Sequence, residues 1–302
     1  MKHKIILIIF KLIFGINFLI IKIIKKDFLL KLKEFYEGKC YTTIKILNKN
    51  LVFFTPNHLT KWLINTMLTK EPETINWINS FKKKKIILWD IGANLGLYSI
   101  YAAIKHRNIL IYSFEPSVNN LRILSRNIFI NDLEKKIIIN QIPLTNKKNK
   151  YLTMNQSSFI EGDALNTFGE KFNEKKKNLI HNYQIYGTTI DSLVDAKSTQ
   201  LPNYIKLDVD GIEHLILSGG KKLLKNKNIL SIIIEINDKF KKQHKSIFKI
   251  LESCNFKLYK KEQNHNLLKS TEYANTFNYT FVKNLKKNYS YKTSSKTISS
   301  NK

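Results

Sequence analysis

Residues 86–96 read Ile86-Ile87-Leu88-Trp89-Asp90-Ile91-Gly92-Ala93-Asn94-Leu95-Gly96. A continuous apolar run that ends in an acid and a glycine-spaced turn predicts a buried strand feeding directly into a helix. Gly92 permits the tight turn, and Gly96 lets the following helix pack close with its N-terminus toward a ligand. The spacing is Gly-x-x-x-Gly, unlike the Gly-x-Gly-x-x-Gly of pyrophosphate-binding dinucleotide folds. An acid just ahead of the loop would repel a pyrophosphate but suits a ligand with a positive amino group.

Outward from this stretch the pattern repeats. Ile109–Phe114 ends in Glu115, Tyr204–Leu207 in Asp208 and Ile229–Ile234 in Glu235, and Ile137–Ile139 is a further apolar run. Helical periodicity fills the gaps at Leu97–Lys105, Val118–Asn131 and Glu213–Leu224. Short apolar strands alternating with helices imply an α/β fold whose parallel sheet is covered on both faces. A helix at Phe240–Ser253 precedes two closing strands, Lys257–Tyr259 and Asn278–Val282, placed to pair antiparallel at one sheet edge. Upstream, residues 27–84 form an extension with a strand pair at Tyr41–Leu47 and Leu51–Thr55 and helices at Thr60–Leu68 and Glu73–Phe81. Residues 145–185, with Glu161-Gly162-Asp163 and the lysines Lys175–Lys177, read as a long loop inserted between strands to shape an acceptor pocket. Residues 284–302 read as a disordered basic tail.

The first 26 residues stand apart. Ile5–Ile24 is almost wholly Ile, Leu and Phe, long enough as a helix (about 30 Å) to cross a bilayer. Lys4, Lys11, Gly15, Lys22 and Lys26 nevertheless fall on one helical face. That cationic stripe suits a helix lying in the headgroup region, with a true span or packing on protein as alternatives. No small-residue site follows the run, which disfavours a cleaved signal peptide. The expectation is contact with a membrane surface.

The 302 residues carry a net charge of +28, yet only three of the 51 basic residues are arginine: Arg107, Arg122 and Arg126. Proteins that read nucleic acid lean on arginine for bidentate contacts, so no nucleic-acid partner is expected. Cys40 and Cys254 lie in no Cys-x-x-Cys or Cys/His cluster, which excludes a disulfide scaffold, disfavours a zinc site and fits a reducing cytoplasm.

Ligands of open α/β sheets sit beyond the carboxyl ends of the strands. Glu115 ends the second strand 25 residues after Asp90, where a carboxylate can accept two hydrogen bonds from a ribose diol. An amino-acid head plus a ribose describes S-adenosylmethionine. Asp90, Gly92, Asn94, Gly96 and Glu115 are therefore the candidate cofactor residues.

The chain resembles the FkbM-type family of S-adenosylmethionine-dependent methyltransferases over roughly residues 85–283. The resemblance rests on Asp90–Gly96, on Phe114-Glu-Pro-Ser117, on Leu121, Asn127 and Asn131, and on Thr188-Thr-Ile-Asp191-Ser-Leu193. Its most specific block is Ile205-Lys206-Leu-Asp208-Val-Asp210-Gly211-Ile-Glu213, followed by Leu217-Ser-Gly-Gly220 and Ile234-Glu235. Position 210 is more often Glu in the family. The resemblance implies a Rossmann-like class I methyltransferase fold, with a mostly parallel seven-stranded sheet and an antiparallel last strand, preceded here by the N-terminal apolar helix. It also implies O-methylation of a sugar hydroxyl in polysaccharide or secondary-metabolite assembly. The acceptor expected is a glycan or lipid-linked sugar, met by a cytoplasmic enzyme docked on the inner membrane face. Two other readings stay open: a membrane-anchored protein that holds cofactor or partner without turnover, and a basic nucleic-acid-associated protein. The absence of an Asn/Asp-Pro-Pro-Tyr tetrapeptide and of a Pro-Cys nucleophile turns the acceptor away from nucleobases and toward oxygen.

Methyl transfer to an alcohol requires an aligned acceptor and a base for its proton. Asp208, Glu213 and His214, at and just beyond the fourth strand, are the candidates, and His214 has the best-matched intrinsic pKa. Lys206 is expected, by strand alternation, to face away from Asp208, and Glu235 to do no more than bind a loop amide. Asp208, Asp210 and Glu213 are read as a solvated acidic loop, with no metal assigned.

Overall fold

The computed structural model describes residues 2–164, 166–170, 181–263 and 274–283. The proposed tail and Lys175–Lys177 lie outside them. Helix α1 (Lys2–Ile24) leads through a turn into α2 (Phe28–Glu37), which Asp27 caps by accepting the Leu30 amide hydrogen. Asn17 ties the two helices together: its Nδ2 donates to Asp27 and its Oδ1 accepts from the Leu29 amide. α1 is long and apolar enough to cross a membrane, and Ile8, Leu12 and Phe18 are all more than half exposed.

Strands β1 (Tyr41–Ile46) and β2 (Lys49–Phe54) form an antiparallel hairpin whose two-residue turn, Leu47-Asn48, takes positive φ. Helix α3 (His58–Lys70) starts with an Asn57–Thr60 capping box, and α4 (Pro72–Asn79) starts with proline in its first turn, where the missing N–H costs nothing. This extension is packed into the body of the protein. Phe53, Ile64, Met67 and Ile78 share one buried cluster with Ile86, Leu88 and Ile100. The Trp77 indole donates to Ser231 at 2.9 Å. Asn127 and Asn131, on the helix singled out in the sequence, accept the amide hydrogens of Phe54 and Val52.

The main sheet begins at β3 (Ile86–Ile91), followed by α5 (Leu97–Lys105), β4 (Ile109–Phe114), α6 (Val118–Ile130) and β5 (Ile137–Asn140). The 145–185 stretch then departs from expectation. It is not a bare loop but holds β6 (Lys150–Gln156), β7 (Thr167–Phe168) and β8 (His181–Gly187), paired antiparallel as a three-stranded sheet. Tyr151 and Tyr186 face each other across this sheet with ring centroids 5.4 Å apart.

Helix α7 (Ile190–Asp195) leads to β9 (Tyr204–Leu207). The single helix expected at Glu213–Leu224 is two, α8 (Glu213–Ser218) and α9 (Lys221–Leu224). They part at Gly219-Gly220, where a Cβ on Gly219 would stand 2.4 Å from the Thr145 carbonyl oxygen. β10 (Ser231–Asn237), α10 (Lys241–Ser253), β11 (Lys257–Glu262) and β12 (Thr276–Val282) complete the chain. The seven strands run in the order β11-β12-β10-β9-β3-β4-β5. β12 is antiparallel to both of its neighbours, while β10, β9, β3, β4 and β5 are mutually parallel. This is the mostly parallel sheet with an antiparallel last strand that the sequence implied. It reverses direction of growth at β3/β9, where a ligand crevice opens beyond the strand ends.

Candidate functional site

A cavity of about 570 Å³ lies at that crevice, within the range of small-molecule sites. Its floor is the turn after β3, Glu115 and Pro116 after β4, Asp208–Asp210 after β9, and Glu235 in β10. Leu59, Trp62, Leu63 and Met67 of α3 wall one side, together with Gly162, Asp163 and Phe168 from the segment around the small sheet.

The turn is built on a close approach. Gly92 has φ +85°, and a Cβ there would stand 1.7 Å from the carbonyl oxygen of Asp208. Only glycine lets the β3 and β9 loops meet. The amides of Gly92 and Ala93 both donate to the Phe114 carbonyl at 3.0 Å. Glu115 is buried between the turn and the start of α6: one oxygen accepts the Asn94 amide hydrogen at 2.8 Å and the other that of Ser117 at 2.9 Å. Burial pushes its carboxyl up to about 7 against the pull of these amides. The Asn120 side chain is a third partner, and the carboxylate's remaining acceptor capacity is available to a ligand hydroxyl in the cavity it lines.

Of the residues predicted from sequence, Gly92, Asn94, Glu115 and Asp208 line the cavity. Asp90 stands behind it, 1% exposed. Ser99 Oγ donates to Asp90 Oδ2 at 2.6 Å, and Lys206 Nζ stands 3.8 Å from Oδ1. Burial raises its carboxyl, with Lys206 and Ser99 opposing. Gly96, at φ +81°, sits beneath Leu124, whose Cδ1 a Cβ would approach to 2.4 Å. Glu213 and His214, expected as candidate bases, are not among the residues that line the cavity. Ile212, just before α8, and Ile216, one helical turn on, reach the cavity, so Glu213 and His214 occupy other faces of the helix. Glu213 Oε1 instead accepts from the amides of Val209 and Gly211 at 3.1 and 3.2 Å, fixing the β9 loop. Burial raises its carboxyl to about 7 and lowers the His214 imidazole.

Two further expectations are overturned. Positions 206 and 208 are two apart and share a strand face, so Lys206 points toward the site and donates to Asp208 Oδ2 at 2.9 Å. Glu235 closes on no loop amide among the described residues; one of its carboxylate oxygens lies within 4.8 Å of one oxygen each of Glu71 and Asp208, and those two oxygens are as close to each other. Sequence reasoning missed Lys70, Glu71 and Glu73 altogether, because the α3–α4 junction precedes the strand pattern. Lys70 pairs with Glu71 at 3.2 Å, and Asn278 Nδ2 donates to Glu73 at 2.9 Å. Burial works to raise Asp208, but the charge and hydrogen bond of Lys206 hold it below the ordinary carboxylate range. Glu235 is pushed well above that range by burial, then by the charges of Asp208 and Glu71. Lys206 remains a cation despite burial because Asp208 and Asp90 flank it. The three carboxylates could surround a divalent ion, but Lys70 and Lys206 already provide positive charge there.

These elements bring an acceptor for hydroxyls, Glu115, beside a glycine turn and an apolar flank of Pro116 and Ile142 suited to a flat base. The family model described as the methyltransferase FkbM domain matches residues 90–258. The chain belongs to the FkbM methyltransferase family. This FkbM protein is an S-adenosylmethionine-dependent methyltransferase. No curated protein matches its sequence. Among solved structures it is similar to a precorrin-6Y C5,15-methyltransferase from Geobacter metallireducens, at 12% identity and a TM-score of 0.42, covering 72% of this chain and 89% of that one. It is also similar to magnesium protoporphyrin IX methyltransferase from Synechocystis with bound S-adenosylmethionine, at 11% identity and a TM-score of 0.45, covering 76% and 85%. The residues present fit that cofactor: Glu115 would receive the ribose hydroxyls, Pro116 and Ile142 would flank the purine, and the Gly92–Asn94 turn would face the amino-acid end.

Proposed function

We propose that this methyltransferase O-methylates a sugar hydroxyl of a surface glycan or its lipid-linked precursor, at the inner face of the cytoplasmic membrane. The observation that carries the reading is the carboxylate wall formed by Glu71, Asp208 and Glu235 on the cavity beside the cofactor turn. Carboxylates accept hydrogen bonds from hydroxyls, and one of them can take the proton that an alcohol must lose. S-adenosylmethionine held there would supply an electrophilic sulfonium methyl for the acceptor oxygen, with its sulfur as the leaving group. Glu235 receives the hydroxyl proton. Burial raises its carboxyl and makes it the stronger base of the wall, whereas Lys206 keeps Asp208 weakly basic. Asp90 acts indirectly, holding Lys206 in register beneath the floor. Two of the three arginines are occupied by protein carboxylates, Arg122 with Glu37 and Glu161 and Arg126 with Glu37, which weighs against a nucleic-acid partner.

The test uses the full chain in mild detergent. Calorimetric titration with S-adenosylmethionine is expected to show binding that Glu115→Gln weakens. Incubation with methyl-tritiated cofactor and cell membranes should then place label in a methyl sugar after acid hydrolysis. Label recovered in protein, RNA or fatty acid instead would overturn the sugar assignment.

A further inference from the structure

The mouth of the cavity carries apolar side chains that water should not favour. Trp62 of α3 lines the cavity yet is 50% exposed, and Phe159 and Ile160 are 58% and 53% exposed in the segment that runs into Glu161-Gly162-Asp163. Phe159 and Ile160 do not themselves line the cavity, but their segment meets α3 beside its mouth and the two form one rim. Gly162 lies against Leu59, Thr60 and Leu63 of α3, and Asn57 Nδ2 donates to Glu161 at 3.1 Å. The rim is joined to the N-terminal helices through a single side chain: Arg122 donates to Glu161 at 2.8 Å and also to Glu37, the last residue of α2. α2 has no buried residue, and Phe28, Leu32 and Phe35 fall on one helical face with about half or more of each exposed. Before it stands α1, apolar and long enough to cross a bilayer; Lys22 in its last turn and Lys25 and Lys26 in the link to α2 are exposed. A cluster of lysines beside an apolar helix is what an anionic lipid surface attracts.

We infer that the cavity mouth docks on an anionic lipid bilayer, with Trp62, Phe159 and Ile160 entering the headgroup region. The acceptor is then the headgroup of an amphiphile held in that bilayer and not a sugar free in solution. This rests on the methyltransferase reading for the word acceptor, while the docking itself stands on the exposed rim and its link to α1 and α2. Tryptophan prefers the membrane interface because its ring is apolar and its N–H finds water or headgroup oxygen. A second copy of this chain covering the rim is the competing occupant, and it leaves the rim away from lipid.

The sequence holds three tryptophans, and Trp77 and Trp89 are buried in the core, so Trp62 is the natural reporter. The full chain is reconstituted in vesicles of phosphatidylcholine and phosphatidylglycerol whose acyl chains are brominated near the headgroup. Emission should be quenched relative to unbrominated vesicles, and Trp62→Phe should abolish the quenching. Phe159→Ser with Ile160→Ser should weaken it without releasing the chain from the vesicles. Failure to float with vesicles overturns the proposal, as does flotation with quenching absent or unchanged in Trp62→Phe. Cofactor titration of the same vesicles separates the two readings. Binding without quenching refutes docking alone, and quenching without binding refutes the methyltransferase site alone.

Discussion

Replacing Lys206 by methionine removes the one charge that stands between the buried Asp90 and Asp208, whose side chain is 25% exposed. Lys206 Nζ lies 2.9 Å from Asp208 and 3.8 Å from Asp90, and its side chain is only 6% exposed. Methionine matches its length and fills its space, so the loss is electrostatic. Breaking a buried pair by deleting one partner costs about 3–5 kcal/mol, which for a chain of this size is roughly 10 °C in Tm. The pH dependence distinguishes this cause from lost packing. In the native chain Asp208 is held below its ordinary pKa, so its stabilising contribution is present above about pH 4 and is lost as pH falls further. Without Lys206 only Lys70 opposes burial at Asp208 and only the Ser99 hydrogen bond opposes it at Asp90, so both carboxyls move upward and the stability gained above about pH 4 shrinks. The gap between wild type and Lys206→Met is therefore widest near neutrality and narrows in acid. Urea unfolding of the full chain in mild detergent, followed by circular dichroism, measures it. Adding Asp208→Asn to the variant should recover part of the loss. A gap below about 1 kcal/mol, the scale of exposed pairs, or one that does not change with pH, would refute the reasoning.

Glu115→Gln should weaken S-adenosylmethionine binding by roughly ten- to a hundredfold, the worth of a hydrogen bond to a charged group. Wild-type affinity should fall as pH drops through about 7, where Glu115 takes a proton and gives up acceptor capacity, and calorimetry of the variant should show a flatter profile. Gly92→Ala should cost about 1–3 kcal/mol for the left-handed backbone and as much again for the collision with Asp208, read as lost soluble protein or lowered Tm. Gly15→Ala, with open space around it, should leave the Tm of the folded body unchanged. Glu235→Gln should slow methyl transfer to membrane acceptors by about 100- to 10,000-fold, the worth of a general base, while cofactor affinity holds. Unchanged turnover would place the base elsewhere on the wall.

The glycine-turn side of the candidate site was legible because its residues sit in contiguous motifs. The turn from Asp90 to Gly96 and the acid at Glu115 occupy strand ends that apolar runs announce, and α5 and β4 have the bounds their periodicity predicts. The acceptor half was not, because it is assembled from segments distant in sequence. Nothing in Lys70-Glu71-Pro72-Glu73 says that it will meet Asp208 and Glu235; that meeting is made by the Trp77–Ser231 and Glu73–Asn278 hydrogen bonds. His214 has the right chemistry for a base but the wrong helical angle, and local spacing after a sharp turn at Gly211 does not fix that angle. Lys206 was legible in principle, since a two-residue step along a strand returns to the same face. The small β6–β8 sheet escaped because its strands are polar and only partly buried, leaving a weak alternation to read.

The contact of Gly92 with the Asp208 backbone has a consequence for how this protein can evolve. With the cofactor turn resting directly on β9, a change that displaces that strand disturbs cofactor binding at once, so β9 is poor ground for exploring new acceptors. The Lys70–Glu73 stretch and the Phe159–Asp163 segment reach the same cavity from outside the sheet, and the first lies outside the matched residues 90–258. Substrate preference can drift there while the donor machinery is inherited intact.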